Sequence, residues 1–150
     1  MKLSTRTIIR LVDALQHFDV KPPEQDGKPL RTPYKLAGTV RMAMAKNIAR
    51  LGEAVDAYKK ARNALIYEHG EGSNTVPQDK LAEFEQAHEA LLDLEHDSLN
   101  LIRFKEELLQ LEANEVPVHV LAALMPIMLD AGDDMALAAN ANDTAPASVR

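Results

Sequence analysis

Glu85 and His88 stand three residues apart, as do Asp93 and His96. In helical bundles a carboxylate followed three positions later by histidine is the spacing that points two ligands at a di-metal centre. Such centres draw the motif from different helices and face it with further glutamates. Here both pairs fall on one segment, and the opposing segment offers mainly Glu53 and Asp56. The plainer reading is solvated acids beside a half-buried histidine, so His88, nearest the apolar stripe, is expected to be a packing residue. Neither a metal nor another cofactor is expected.

Covalent catalysis needs a nucleophile with an orienting base, and none of Ser4, Ser73, Ser98 or Ser148 sits in a Gly-x-Ser-x-Gly elbow. Gly70-Glu71-Gly72 is an acidic turn with neither a following Gly-Lys-Ser/Thr nor a dinucleotide fingerprint. No enzyme is expected. One constellation has ligand-binding chemistry. Arg41, Lys46, Arg50, Lys59, Lys60 and Arg62 accompany Tyr58 and Tyr67, a set that can hold phosphate oxygens and stack a base. Its simpler interpretation is a solvated face answering acids elsewhere, because the net charge of -6 repels extended nucleic acid. Duplex nucleic acid is not expected as a partner; a small anion held by Arg41, Lys46, Arg50, Tyr58 and Arg62 is the alternative.

These residues need elements to position them. Ser4 caps a first helix whose apolar positions Ile8, Ile9, Leu11, Val12 and Leu15 lead to Phe18. Residues 19–31 hold three prolines and a glycine among charged neighbours, a pattern that forbids helix and predicts an exposed loop or arm. Thr32-Pro33 reads as cap and first helical position of a long second helix running to about Glu68. Met44, Ile48, Leu51, Val55, Tyr58 and Leu65 alternate spacings of four and three along it, a coiled-coil-like seam that requires a partner helix. Gly38 and Gly52 lie within this stretch, where glycine costs about 1 kcal/mol against alanine, and point to a close backbone approach.

Residues 70–78 are turn formers of the right length to reverse the chain. From Pro77 or Asp79, Leu81, Phe84, Ala87, His88, Leu91 and Leu94 resume helical spacing, with Glu83, Glu85, Glu89 and Asp93 on the wet side. The predicted fold is mainly α: a long antiparallel hairpin, a shorter N-terminal helix and a C-terminal helix. That last helix is capped within 114–117 and runs to Leu129, slowed at Pro126. Glu95 to Phe104 is ambiguous between helix and strand because Ser98 to Phe104 partly alternates, Lys105 to Leu111 reads as helical, and 131–150 reads as a disordered tail. Residues 1–130 are expected to form one domain.

Charge is segregated. From Arg31 to Glu68 there are eight bases and three acids; from His69 to Val116 there are three bases and twelve acids. Antiparallel packing of the two long helices would set these opposite charges along the seam. Cysteine is absent, so disulfides and thiolate ligands are excluded. No apolar leader or bilayer-length run is present, which predicts no membrane association and a cytoplasmic setting.

The segments MKLSTRTIIRLVDAL, YKLAGTVRMAMAKNIARLGEAVDAYKKARNALIYEHGEG, LAEFEQAHEALLDLEHDSLNLIRFKEEL and VPVHVLAALMPIML follow one another over residues 1–130. In this order they resemble a family of small, mainly helical proteins encoded by tailed phages and prophages. The resemblance brings no catalytic residues. It implies a short strand near Leu99 to Phe104, and the arm at 19–31 is longer than the family pattern. The expected function is therefore a non-catalytic phage-type protein acting through a protein partner or self-association, as a virion or assembly component or a host-takeover factor. The alternative is an oligomer that sequesters a small anion such as a nucleotide defence signal.

Overall fold

The computed structural model describes residues 1–19, 23–30 and 32–129. The predicted disordered tail, 131–150, lies outside them. The chain is mainly helical: β1 (Leu3–Ser4), α1 (Thr5–His17), β2 (Glu24–Gln25), β3 (Lys28–Pro29), α2 (Gly38–His69), α3 (Leu81–Leu92), β4 (Glu95–His96), β5 (Phe104–Lys105), α4 (Val118–Leu124) and β6 (Met128–Leu129). It divides into two compact units, residues 1–10 with 49–100 and residues 11–48 with 101 onward.

The second unit holds most of the core. Leu11, Leu15, Val40, Met44, Phe104, Leu109, Leu124 and Ile127 are almost completely buried there. Its irregular segments are fastened by two buried asparagines. Asn47 Oδ1 accepts from Ile102 N at 2.7 Å while its Nδ2 donates to Ile102 O at 2.9 Å. Asn114 does the same to Lys35, at 2.8 and 2.9 Å, and its Nδ2 also donates to Leu109 O.

That second clamp explains a correction. The long helix begins at Gly38, not at Thr32-Pro33. Lys35 gives both its backbone groups to Asn114, so neither is available to a helical ladder. Tyr34 is buried beside it, its ring 5.0 Å from that of Phe18 and its hydroxyl 2.6 Å from His17 Nε2. The last helix also ends early, at Leu124, followed by a 3-10 turn at Met125–Ile127. Pro126 has no N–H for the helical ladder. Met128 and Leu129 then pair in parallel with Phe104 and Lys105, so of the strand expected near 99–104 only Phe104 lies in one, and that strand is two residues long. Only a 3-10 turn, Glu106–Leu109, forms where helix was expected at 105–111.

Part of the proline-rich arm folds as a two-residue hairpin, with Glu24 opposite Pro29 and Gln25 opposite Lys28. Asp26 and Gly27 both have positive φ, 54° and 75°, as a type I′ turn requires. Every side chain from Pro23 to Leu30 is exposed, as expected of an arm.

The first unit contains β1, the start of α1, α2 from Ala49, α3 and β4. Ser4 caps α1 as predicted, its Oγ accepting from Thr7 N at 3.2 Å. β1 pairs antiparallel with β4. Among the described residues this unit buries only two large apolar side chains, Ile8 and Leu51.

Candidate interaction site

Within the first unit α2 and α3 lie antiparallel, a relation shown by their ring contacts. Tyr58 OH and His88 Nε2 share a hydrogen bond of 2.9 Å, and the rings of His88 and Phe84 stack at 5.7 Å and 9°. Further along α2, His69 meets Phe84 edge-on at 5.9 Å. As α2 advances from 58 to 69, its partner positions retreat from 88 to 84. His88 is thus a packing histidine, as expected.

The reversal depends on Gly70. Its N–H donates to Ile66 O at 2.8 Å, closing the helix, and a Cβ there would fall 2.5 Å from Ser73 O and 2.8 Å from Ile66 O and Thr75 O. All three are backbone atoms, so no side chain can yield. Lys80 spans the turn to Glu71, raising its own pKa and holding the Glu71 carboxyl below the usual carboxylate range through that hydrogen bond. At Gly38 and Gly52, by contrast, a Cβ would meet nothing within 4 Å, so the expected close approach is absent at both.

The hairpin is poorly covered. Two helices alone shield only the line along which they touch. No residue of α3 is buried. On α2, Val55, Tyr58, Leu65 and Ile66 are half-buried, as are Phe84, Leu91 and Leu92 on α3, and Leu81 and Leu94 are 36% and 56% exposed. The end near Leu94 is capped: Thr5 N and Oγ1 both donate to Leu94 O, and Thr5 Oγ1 lies 2.8 Å from His96 Nε2.

Electrostatics depart from expectation. Among the described residues no ion pair joins α2 to α3. The acids at the end of α3 and just beyond it are answered from the N-terminus instead, Arg6 reaching Glu89 in α3 and Asp93 at its C-cap, and Lys2 reaching Glu95 of β4 at 2.7 Å. The second carboxylate–histidine pair is therefore divided, Asp93 on Arg6 and His96 on Thr5. Among the described residues no group of three or more potential ligands converges on a metal position.

The residues predicted to hold an anion are variously placed. Arg41 Nη2 donates to Tyr34 O at 2.6 Å and Arg50 Nη1 to Asn100 O at 2.7 Å, so two guanidiniums fasten backbone carbonyls. Tyr58 is engaged with His88. Lys46 is half-buried, and Arg62 is exposed with no partner among the described residues. Arg50 and Arg62 are twelve residues apart on one helix, about 18 Å at the helical rise, so they do not form one small pocket within a chain. The Asn47 and Asn114 clamps and the Arg6 clamp escaped sequence reasoning. The isolated polar Asn47 beside apolar Met44, Ile48 and Leu51 was the available signal for the first.

Among the described residues no helix is long and apolar enough to cross a membrane. No family model, curated protein or solved structure matches the chain.

Proposed function

We propose that this protein is non-catalytic and acts through protein–protein contact, using the half-covered face of the α2–α3 hairpin. The observation that carries this reading is the asymmetry of burial: the first unit keeps an amphipathic helix pair yet fully buries only Ile8 and Leu51 among its large apolar side chains. Apolar surface left at the water boundary loses the roughly 25 cal/mol per Å² that covering it would contribute. Apolar surface set among charged side chains is a form that interaction sites take. The phage resemblance suggests the setting, a virion or assembly component or a host-takeover factor working in the cytoplasm of an infected cell.

The test is site-specific photo-crosslinking of the full chain in the cells that produce it, with p-benzoylphenylalanine at Ile66, on the half-covered side, or at Ala64, on the exposed side. Protein adducts from Ile66 and none from Ala64 are expected. Absence of any adduct at Ile66, to this chain or another, contradicts the proposal.

A further inference from the structure

We infer that the occupant of the hairpin face is a second copy of this chain, stacked so that each α2 lies over the partner's α3. The inference rests on the interaction reading above and names its partner.

Two stripes define the face. Val55, Lys59, Arg62 and Ile66 recur at spacings of four, three and four on α2, and Leu81, Glu85, His88 and Leu92 recur identically on α3. The line of contact between the helices is marked by Tyr58 and His69 on one and Phe84 and His88 on the other. Each stripe is centred to one side of that line, reached from it by turning in the same sense with increasing residue number, with His88 at the shared border. For two antiparallel right-handed helices, the same sense of rotation leads to the same side of the pair. One side of the hairpin therefore carries half-buried Val55, Ile66 and Leu92 with 36%-exposed Leu81, punctuated by exposed Lys59, Arg62 and Glu85.

Those three charges are unmatched. None forms an ion pair with any other described residue, whereas Glu89 on the same helix as Glu85 and Asp93 at its C-cap are held by Arg6. Two hairpins can stack face to face by a two-fold axis in two ways. An axis across the helices sets α2 on α2 and α3 on α3, so Lys59 and Arg62 meet their own kind. An axis along the helices sets α2 on the partner's α3 at the same height, bringing Lys59 and Arg62 to the partner's Glu85, with every neighbouring helix antiparallel. Like-charge juxtaposition opposes the first arrangement, and complementarity selects the second. The result is a four-helix bundle in which the apolar stripes close over one another.

Sedimentation velocity on the full chain across a concentration series tests this with three proteins: wild type, Lys59→Glu/Arg62→Glu and Glu85→Lys. All three positions are exposed, and helix content by circular dichroism confirms that the variants are folded. Wild type should dimerise, each variant should dissociate at a concentration about tenfold higher or more, and a mixture of the two variants should regain a heterodimer of wild-type affinity. A wild-type chain that stays monomeric at its highest soluble concentration overturns the inference. So do variants that dimerise unchanged, or a mixture that is not restored. A monomer that still crosslinks a different protein through Ile66 overturns this inference alone and leaves the interaction reading standing.

Discussion

The side chain of Asn47 pairs with both backbone groups of Ile102, donating to its carbonyl at 2.9 Å and accepting from its amide at 2.7 Å, with Asn47 wholly buried. An amide side chain here completes the hydrogen bonding of an irregular segment that is in neither helix nor strand at that point. Buried backbone groups must be satisfied, and an irregular segment cannot satisfy its own.

Replacing Asn47 with alanine leaves the amide and carbonyl of Ile102 unpaired in the core. Asn47→Ala should lower stability by roughly 2–4 kcal/mol, since each orphaned buried group costs about 1–3 kcal/mol. Urea denaturation followed by circular dichroism measures this. A loss within about 0.5 kcal/mol, the usual range of a surface substitution, would contradict it.

Two glycines should respond oppositely to alanine. At Gly70 a Cβ meets three backbone oxygens, two of them at 2.8 Å and one at 2.5 Å, so Gly70→Ala should destabilise by roughly 1–3 kcal/mol through overpacking. At Gly52, within α2 and with open space around it, alanine should stabilise by about 0.5–1 kcal/mol through helix propensity. Thermal unfolding of the pair reads both signs in one experiment.

Much of the helical layout was legible because it follows from local chemistry. Ser4 before an apolar face, the Gly/Ser/Asn turn and the seam through Tyr58 and Leu65 each express a short-range preference. The start of α2 was misplaced because Thr32-Pro33 is a good local cap, yet Asn114, 79 residues from Lys35, takes the backbone groups that a helix there would need. Charge segregation suggested that α2 would answer α3, but the cation that reaches α3 is Arg6, on Glu89, while Lys2 pairs with Glu95 of β4. Such long-range choices leave no periodic trace. For the site, the sequence marked Arg62 and Tyr58 without revealing that Tyr58 is turned inward to His88, or that Arg41 and Arg50 are tied to carbonyls.

The Glu71–Lys80 pair makes the turn sensitive to pH in a defined direction. The Glu71 carboxyl titrates below its ordinary range in the folded chain because Lys80 hydrogen-bonds its charged form. Its contribution is therefore present above the unfolded carboxylate pKa and is lost as pH falls through the lower folded value. Lys80 is raised by the same bond, so its contribution is fully present below the pKa of free lysine and is lost as pH rises through the higher folded value. NMR titration of the Glu71 side chain should give a midpoint below that of an unfolded reference peptide, and Lys80→Met should return it to the reference. Glu71 is exposed and Lys80 only partly covered, so the depression should shrink in high salt.

A nucleotide-sequestering role makes a separate demand. A ligand at a hundredfold excess over its dissociation constant stabilises its receptor by about 2.7 kcal/mol. With Arg41 and Arg50 bonded to carbonyls and Tyr58 to His88, cyclic and linear nucleotides should leave the melting temperature unchanged. A shift that disappears in Arg62→Ala would establish the opposite.

The exposure of the hairpin face is measured most directly by hydrogen–deuterium exchange of the α3 amides, 81–92, at increasing protein concentration. At high dilution these amides should exchange far faster than those of Leu11 to Leu15, and their protection should rise with concentration as the face is covered. Protection of α3 that equals that of Leu11 to Leu15 and does not change on dilution would contradict an open, partner-seeking hairpin.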